Sequence, residues 1–569
     1  MRSAVRAQAQ AGGYRQAMTS EKFTKIADDA VASWCAQYPD EATFLGEHRY
    51  DDRLGDPTVA AAQRRRAQLN TLIGQLAELP ADQLDTADAV DRDILRTAVQ
   101  SELLALTDLD EASWNPMLHN PGQALYGLLS RDFAPLPQRL SSVASRLRQV
   151  PDYLEAARGR LSDMSKVHVE TAIGQLDGTL ALIEGEIPAA LAEAGTGTDL
   201  SGEISQAAAA VRSHQDWLRG QLPGAQRSPR LGKELFADKL ALTLATPWQP
   251  ATLLDQAYRD LDLVEAELSE LTGRTTGSGT ADRAAIAAEF SRLAADAPTS
   301  DTILQLCREA LTETTEFVRR HDLITLLDDP VDIIEMPEID RGVAVAYCVP
   351  VGPLETAPLA PQFAVSPTPT DWSQDRVRSF YREYNNHMLH NLTIHEAMPG
   401  HVEQLSHAHR YQASNRVRGV FISGSFVEGW AVYAEELMAG LGYRSDVSAE
   451  AAAGVRMQQL KMRLRSVLNT ILDVSFHTGD LDERQAMELM TVRGYQEDGE
   501  AAGKWRRVQL SSTQLSTYYV GYLEVSGLVA ELRRAQPSWS DRQLHDEVLN
   551  YGSPPVRYLR QLLGLPPAE

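Results

Sequence analysis

Apolar positions recur at three- and four-residue spacing from about Glu21 to His321, and again from Asp371 to the end of the chain. Segments such as DRDILRTAVQSELLAL and PATLLDQAYRDLDLVEAELSEL show one apolar and one charged face, as expected for amphipathic helices that cover a core. The pattern predicts a mainly α-helical protein. Prolines and glycines predict breaks between these helices, at the following positions: Pro57, Pro80, Pro116, Pro121, Pro151, Gly224, Pro247 and Pro250.

The pattern changes between about residues 331 and 367, where three short apolar runs are bounded by prolines and glycines. These runs, VDIIEMP, RGVAVAYCVPV and LAPQFAVSPTP, are typical of short strands. We therefore expect a multi-helical fold that contains one small sheet. The change also divides the chain into an N-terminal helical region, residues 21–325, and a C-terminal region with the sheet, residues 326–569.

The chain is acidic, with 569 residues, 54 Lys and Arg, 78 Asp and Glu, and a formal net charge of −24. Proteins hold nucleic acids largely through basic side chains on phosphates, and no basic block is present, so we expect no nucleic-acid partner. No segment approaches the run of about 18 apolar residues that a membrane span requires. We therefore expect no membrane partner.

The cysteines bear on the cellular location. Cys35, Cys307 and Cys348 are far apart and odd in number, which predicts reduced thiols rather than a disulfide framework. The first thirty residues carry three arginines but lack the apolar run that is typical of a signal peptide. Together these features predict a cytoplasmic protein.

The segment NLTIHEAMPGHVEQ carries the most informative chemistry in the chain. His395, Glu396 and His401 resemble the zinc-hydrolase signature HExxH, in which the two histidines are four residues apart on one helical face. Here they are six residues apart, so their side chains converge only if the helix is interrupted between them. Pro399 and Gly400 lie where that interruption is needed. The alternative is a helix end with two surface histidines.

A third ligand is predicted in the segment SFVEGWAVYAEELMAG, where another helix begins. Glu428 follows His401 by 27 residues, and the small Gly429 would allow close packing of this helix against the first. Two imidazoles and one carboxylate leave an open position on a catalytic zinc ion. We therefore predict His395, His401 and Glu428 as metal ligands.

Further acids and histidines surround these motifs. Glu435 and Glu436 are two turns beyond Glu428, where one carboxylate is expected to orient a ligand imidazole and the other to face solvent. His387 and His390 precede the first motif by about two turns. For these two histidines we expect packing or solvent contact rather than a second metal site.

Together the motifs HEAMPGH and FVEGWAVYAEEL resemble the domain of unknown function 885 family, bacterial proteins related to the gluzincin metallopeptidases. The second motif also resembles the NEGFAxYxE segment of zinc aminopeptidases, in which the first glutamate binds the metal. Segments elsewhere in the chain resemble the same family, namely ATFLGEHRYDDRLGD, RLGKELFADKL, ILDVSFHTGDLDERQAMELM and STQLSTYYVGYLE. The resemblance therefore covers nearly the whole chain.

This resemblance implies a metallopeptidase-like helical fold with the small sheet beside the zinc-binding helices. It also implies one zinc ion per chain on His395, His401 and Glu428, although this donor set also suits manganese or cobalt. Zinc lowers the pKa of a bound water toward about 7 and so supplies a nucleophile. Glu396 directly follows the first ligand and is the expected general base.

Two groups are candidates to stabilise the oxyanion, because peptidases of this type often supply a tyrosine or histidine from the C-terminal helices. Tyr518 lies four residues before Tyr522, on one face of a predicted helix. His477 lies four residues after Asp473, which could fix its tautomer. The alternatives are a packed aromatic pair and a helix-surface ion pair.

The substrate is less constrained by the sequence. Arg463 and Arg465 could hold a substrate carboxylate or could pair with acids of the protein. An extended peptide could add to an exposed strand edge over Gly342–Val351. We predict a zinc-dependent peptidase that acts on short peptides, because the resemblance implies a deep cleft. A zinc hydrolase of a non-peptide amide or ester, or a catalytically silent helical binding protein, are the alternatives.

Overall fold

The structure is a computed structural model that describes residues 2–336, 345–369 and 372–566. Helices dominate it. The α-helices of the described residues, in chain order, are α1 Arg2–Gln37, α2 Pro39–Leu45, α3 Val59–Ala77, α4 Thr86–Thr107, α5 Gly122–Tyr126, α6 Leu136–Arg160, α7 Lys166–Ala181, α8 Ile187–Ala194, α9 Ser201–Gln221, α10 Lys233–Thr243, α11 Pro250–Thr276, α12 Arg283–Leu293, α13 Ile303–His321, α14 Gln374–Glu383, α15 Asn386–Glu396, α16 His401–Arg410, α17 Val417–Val420, α18 Gly424–Gly440, α19 Ala449–Thr478, α20 Glu483–Glu488, α21 Asp498–Leu510, α22 Thr517–Ala535, α23 Asp541–Leu549 and α24 Val556–Leu562.

The helices of the C-terminal region begin at caps that the sequence supplies. The side chain of Asn385 accepts a hydrogen bond from the first turn of α15, and Ser423 and Ser448 do the same for α18 and α19. These bonds satisfy N–H groups that have no partner within the helix. Each of the three helices therefore has a defined start.

The sheet has three short strands, β1 Asp332–Glu335, β2 Ala346–Val349 and β3 Gln362–Val365. The strand order is β1-β3-β2, with β1 parallel and β2 antiparallel to the central strand β3. The prediction of a mainly α-helical fold with a small sheet between 331 and 367 is confirmed. The predicted peptide-binding edge is described only from Val345 onward, since residues 342–344 lie outside the described residues.

The predicted helix break at Pro151 is wrong, because Pro151 lies inside α6. A proline inside a helix removes one backbone hydrogen bond, a cost that packing of the helix can offset. Val150 and Leu154 on either side are buried in the core, at 0% and 1% exposure. At Pro250 the proline begins α11 instead of ending a helix, in the first turn where its missing N–H costs nothing.

Close approach of α18 and α22 brings two distant parts of the sequence together at the candidate site. A Cβ atom on Gly429 would lie 2.3 Å from the backbone of Gly521, and one on Gly521 would lie 2.0 Å from the backbone oxygen of Ser425. Only glycine fits at this crossing. Gly429 therefore packs against α22, and not against the histidine-bearing helix as predicted.

The apolar core joins helices from both halves of the chain. One buried cluster combines Leu261 of α11 with Leu464 of α19 and Val520 of α22. A second cluster joins the sheet to the site helices through Phe363, Ile394 and Trp430. The division into residues 21–325 and 326–569 stays a prediction. Among the described helices, none is long and apolar enough to span a membrane.

Candidate metal centre

A tight loop between α15 and α16 brings the two motif histidines together. The first helix ends at Glu396 and the second begins at His401, and the Gly400 N–H donates to the backbone oxygen of Ile394 over 3.0 Å. A Cβ atom on Gly400 would lie 1.9 Å from the backbone oxygen of His395. The interruption that the six-residue spacing requires is present, and it depends on the glycine.

Glu428, in the first turns of α18, faces both imidazole rings. Its Oε2 atom lies 3.4 Å from His395 Nε2 and 3.5 Å from His401 Nε2. One donor atom from each of the three residues lies within 4.8 Å of the others. The two histidines are buried, and the glutamate side chain is 23% exposed. The three predicted ligands therefore converge on one point that solvent reaches from the Glu428 side.

The donor atoms of this cluster fit a metal ion. Glu428 Oε2 is buried and makes no hydrogen bond among the described residues, although two imidazole nitrogens face it. A buried polar atom without a partner is costly. Two imidazole nitrogens and a carboxylate oxygen are a zinc donor set that leaves one position for water. The chemistry of the side chains and the unpaired oxygen both suit zinc.

The charges of the cluster also favour a bound cation. Burial alone would raise the pKa of Glu428, but its contacts with His395 and His401 hold that pKa well below its usual range. Burial alone would lower the pKa of His395, but the carboxylates of Glu428 and Glu435 raise it well above its ordinary value. The carboxylates thus make this point attractive to a cation.

A buried carboxylate fixes the orientation of the His395 ring. Glu435 Oε1 lies 2.7 Å from His395 Nδ1, and Glu435 Oε2 accepts a hydrogen bond of 2.6 Å from Asn391 Nδ2. A ligand histidine commonly donates its second ring N–H to such a carboxylate. Of the two acids predicted at this place, Glu435 therefore faces the cluster. Glu436 instead accepts a hydrogen bond from Arg463.

Glu396 lies between the metal cluster and the sheet. Its Oε2 atom accepts a hydrogen bond of 3.0 Å from the backbone N–H of Cys348 on β2. Burial, as the largest influence, raises the pKa of the Glu396 carboxyl. A carboxylate with a raised pKa beside a metal cluster suits the exchange of protons near neutral pH. The Cys348 contact could not be predicted from the sequence, because it forms between residues 48 positions apart.

The strand β2 is an edge strand of the described sheet at this place. Val345 on its inner side accepts a hydrogen bond from Ser366 next to β3, while the N–H of Cys348 points away from β3 to Glu396. Backbone groups alternate between the two sides of a strand, so Ala346 shares the outward side with Cys348. The outer edge of β2 in the described sheet therefore runs past Glu396.

Tyr518 lies beside Glu428, one turn before Gly521 at the crossing of α18 and α22. The Glu428 carboxylate is the largest influence on the Tyr518 phenol and raises its pKa, and burial adds to the increase. Arg507 of α21 also acts on this phenol, in the opposite direction. Tyr518 is thus close enough to Glu428 for the carboxylate to act on its phenol.

Tyr522 and Arg463 face away from the metal cluster and interact with each other. The Tyr522 hydroxyl donates to Glu436 Oε2 over 2.6 Å, and the Arg463 guanidinium lies 4.8 Å from the centre of the tyrosine ring. Arg465 pairs with Glu383 at 3.2 Å. The predicted arginines therefore pair with acids of the protein, which was the alternative left open by the sequence.

Asp473 and His477 do not form the predicted pair. His477 Nε2 donates to the backbone oxygens of Val508 and Ser511, at 3.1 and 3.0 Å, and lies 3.8 Å from Asp473 Oδ1. Burial lowers the pKa of His477 to about 4. The Asp473 carboxylate instead accepts hydrogen bonds from Ser516. Both side chains hold the loop before α22 in place, and none of their described contacts is with the metal cluster.

The other histidines near the motif have structural partners. His390 Nδ1 lies 3.1 Å from the Tyr443 hydroxyl, and His387 packs against Gly454 of α19. Within the described part of the chain, His395, His401 and Glu428 are the single group with the geometry of a metal site.

The chain belongs to the DUF885 family of bacterial proteins of unknown function, whose model matches residues 39–563. A structure from Shewanella oneidensis, described as a candidate lipoprotein of unknown function, is 28% identical with a TM-score of 0.80 and covers 95% of this chain and 99% of its own. A candidate lipoprotein from Colwellia psychrerythraea is 15% identical with a TM-score of 0.77 and covers 97% and 99%. No curated protein matches.

The fold of the more distant metallocarboxypeptidase 1 from Trypanosoma cruzi matches with a TM-score of only 0.40 and 11% identity, over 98% of this chain and 97% of its own. This similarity is too low to support an argument about activity. The catalytic activity of this chain is therefore inferred from the side chains of the metal cluster.

The predicted cytoplasmic location is contradicted by these matches. The two solved structures with TM-scores of 0.80 and 0.77 are candidate lipoproteins, which points to a membrane-anchored or secreted protein. The prediction failed because it relied on unpaired thiols. Cys35 and Cys307 are free thiols buried in different apolar clusters, where they pack as small apolar side chains, so their unpaired state does not report the compartment.

Proposed function

We propose that this protein is a zinc-dependent peptidase whose metal is held by His395, His401 and Glu428. The observation that supports the proposal is the convergence of these three donors beside Glu396, with an unpaired carboxylate oxygen at their centre. When bound, zinc supplies an acidified water as nucleophile and polarises the substrate carbonyl. The remaining steps belong to the side chains of the chain itself.

Glu396 takes up and returns the proton. Its carboxylate directly follows the ligand His395 and is held by the Cys348 N–H, so it can accept a proton at the metal and pass it to the leaving amine. Glu435 keeps the His395 ring in the tautomer whose Nε2 faces the metal. Tyr518, beside Glu428, donates its hydroxyl proton in a hydrogen bond to the developing oxyanion.

A peptide substrate is favoured over other amides and esters by the edge of the sheet. The outward backbone groups of β2 lie next to Glu396, and an extended peptide can pair with such an edge through its main chain. That pairing would bring its carbonyl groups past the metal cluster. A non-peptide amide has no repeating backbone to use this edge.

The proposal is tested by hydrolysis of a mixed library of short peptides, followed by mass spectrometry. We expect the zinc-loaded protein to cleave library members, and Glu396→Gln to retain zinc but lose at least about a hundredfold in rate, because the general base is removed. His409→Ala, at an exposed position on α16, is the matched control and should cleave as the wild type does. Zinc-loaded protein that cleaves no peptide would contradict the proposal.

We further infer from the lipoprotein relatives that the protein acts outside the cytoplasm. Peptides that enter or leave the cell would then be its substrates. Immunodetection in membrane, secreted and cytosolic fractions of the native cells tests this location. Recovery with a cytosolic marker enzyme would contradict it.

A further inference from the structure

A group of basic side chains lies between α14, α19 and α21. Two of its cations are neutralised within the protein. Lys461 Nζ lies 2.9 Å from Glu383 Oε2, and Arg465 Nη1 lies 3.2 Å from Glu383 Oε1. Arg465 also makes an ion pair of 2.5 Å with Glu500. The two acids of the group are therefore already occupied.

Lys504 of α21 has no such partner. The residue is only 7% exposed, and among the described residues no ion pair or hydrogen bond is formed by its ammonium group. Burial, together with the nearby Arg465, lowers the pKa of Lys504 to about 7. The side chain of Lys504 is thus largely buried while its ammonium group is in no described ion pair, so an anion that reaches this group from solvent would meet a cation without a carboxylate partner.

Arg507 continues the basic surface from Lys504 toward the metal cluster. It lies one turn later on α21, and its guanidinium donates to the neutral amide oxygen of Gln514 at 2.9 Å and acts on the Tyr518 phenol. Among the described ion pairs, none includes Arg507. Lys504, Arg507 and Tyr518 thus form a row that leads to Glu428.

This row of cations is unusual in a protein with a net charge of −24. Lys461 and Arg465 form ion pairs with Glu383 and Glu500, whereas Lys504 and Arg507 are in none of the described ion pairs. A solubilising surface charge would be exposed, whereas Lys504 is buried. The arrangement suits recognition of an anion next to the reaction centre, where positive side chains also attract it over a distance.

We propose that Lys504 and Arg507 bind a carboxylate of the substrate that is cleaved at the metal cluster, and so select peptides with a free carboxylate. This subsite depends on the proposed peptidase function and names its substrate class. Lysine and arginine bind carboxylates through charge-assisted hydrogen bonds. The carboxylate comes either from the C-terminus of the peptide or from an Asp or Glu side chain.

The test measures retention of peptides by the zinc-loaded Glu396→Gln protein, which binds substrate without hydrolysis. Four tripeptide pools are compared by ultrafiltration and mass spectrometry: free acids, their C-terminal amides, and amidated pools with either Asp and Glu or Asn and Gln at one position. We expect carboxylate-bearing peptides to be retained at least about tenfold more than neutral ones. Selectivity for free acids assigns the C-terminus, and selectivity for amidated Asp and Glu pools assigns the side chain.

Substitutions on α21 then locate the subsite. Lys504→Met should abolish the selectivity for carboxylates, and Arg507→Gln, at an exposed position where folding is not at risk, should reduce it. Lys504→Arg keeps the charge and should preserve it. Arg506→Gln, on the same helix with its guanidinium on Thr171, is the matched control and should have no effect.

Equal retention of acids and amides, retention of neither, or unchanged selectivity in both Lys504→Met and Arg507→Gln would overturn the subsite. Zinc content and wild-type hydrolysis, measured in parallel, report on the proposed function separately. Hydrolysis without carboxylate selectivity overturns the subsite alone. Selectivity without any hydrolysis by the wild type overturns the peptidase function alone.

Discussion

Glu435 is the side chain on which the orientation of the His395 ring depends. Its carboxylate is 1% exposed and bridges His395 Nδ1 and Asn391. The next residue, Glu436, points to Arg463 at 3.1 Å. Neighbouring residues on a helix point about 100° apart, so these two glutamates have the same chemistry and different surroundings. They form a matched pair for substitution.

Glu435→Gln is expected to weaken zinc binding by about 10- to 100-fold, because the amide cannot hold the His395 ring as an anion does. Zinc affinity is measured by competition with a chromophoric chelator. Glu436→Gln should leave the affinity unchanged. Equal losses in both variants would show that the orientation of His395 does not depend on Glu435.

The roles of single residues could be predicted where they depend only on neighbouring residues in the sequence. Six-residue spacing and the Pro399–Gly400 dipeptide indicated an interrupted helix, and the structure has one. The choice between Glu435 and Glu436 was not predictable, because it depends on how α18 is rotated against α15. The unpaired Lys504 was also missed, since its lack of a partner is a property of three packed helices and not of the sequence around it.

At the scale of elements, the crossing of α18 and α22 determines the distance between Glu428 and Tyr518. Gly429 and Gly521 let the two backbones meet, and each glycine is within three residues of one of these side chains. Helices with larger residues at the contact are about 8–10 Å apart, so a smaller separation requires small residues on both sides.

Gly521→Ala should push these helices apart, because its Cβ would lie 2.0 Å from the backbone oxygen of Ser425. We expect the free energy of unfolding to fall by about 1–3 kcal/mol, as for other overpacked contacts. Urea denaturation measures the change. Gly527→Ala, on the same helix with nothing within 4 Å, should be neutral or stabilising. The same effect for both substitutions would refute the close crossing.

The strands and most helices were predicted because their apolar patterns are strong and local. The helix that packs closely against α18 was not predictable, since Gly429 is compatible with close packing against any helix. The break predicted at Pro151 failed for a related reason. The cost of placing Pro151 inside a helix is outweighed by the burial of its neighbours Val150 and Leu154. That burial depends on the packing of the folded core and not on the local sequence.

At the scale of the whole molecule, buried neutral histidines make stability depend on pH. Burial lowers the pKa of His168, His214 and His477 to about 4 each. In the unfolded chain a histidine titrates near 6.5. As the pH falls from 6.5 toward 4, the unfolded state binds the proton and the folded state does not. Stability that is present above pH 6.5 is therefore lost on acidification.

His477→Gln should reduce this pH dependence. The substitution removes one titrating group. The difference in the free energy of unfolding between wild type and variant should therefore shrink by about 2 kcal/mol when the pH falls from 7 to 5. The free energy of unfolding is measured by urea denaturation at both values. His409→Gln, at an exposed position, is the control. A difference for His477→Gln that stays constant with pH would mean that the folded and unfolded states bind the His477 proton with the same pKa.

The location of the protein was the least predictable property of the whole molecule. Composition and three unpaired thiols do not determine the cellular location of a protein. The similarity to candidate lipoproteins contradicted the prediction of a cytoplasmic protein. The same acidic composition did exclude a basic surface over the whole chain. It did not exclude a local one, which is why the cations around α21 became evident only in the fold.

If His395, His401 and Glu428 hold one zinc ion, the zinc content of the protein measured by elemental analysis depends on these side chains. Wild type, His395→Ala and His409→Ala are loaded with zinc, freed of excess metal by gel filtration and analysed by mass spectrometry. We expect about one zinc per chain in the wild type and in His409→Ala, and almost none in His395→Ala. A zinc-free wild type, or full occupancy in His395→Ala, would contradict this expectation.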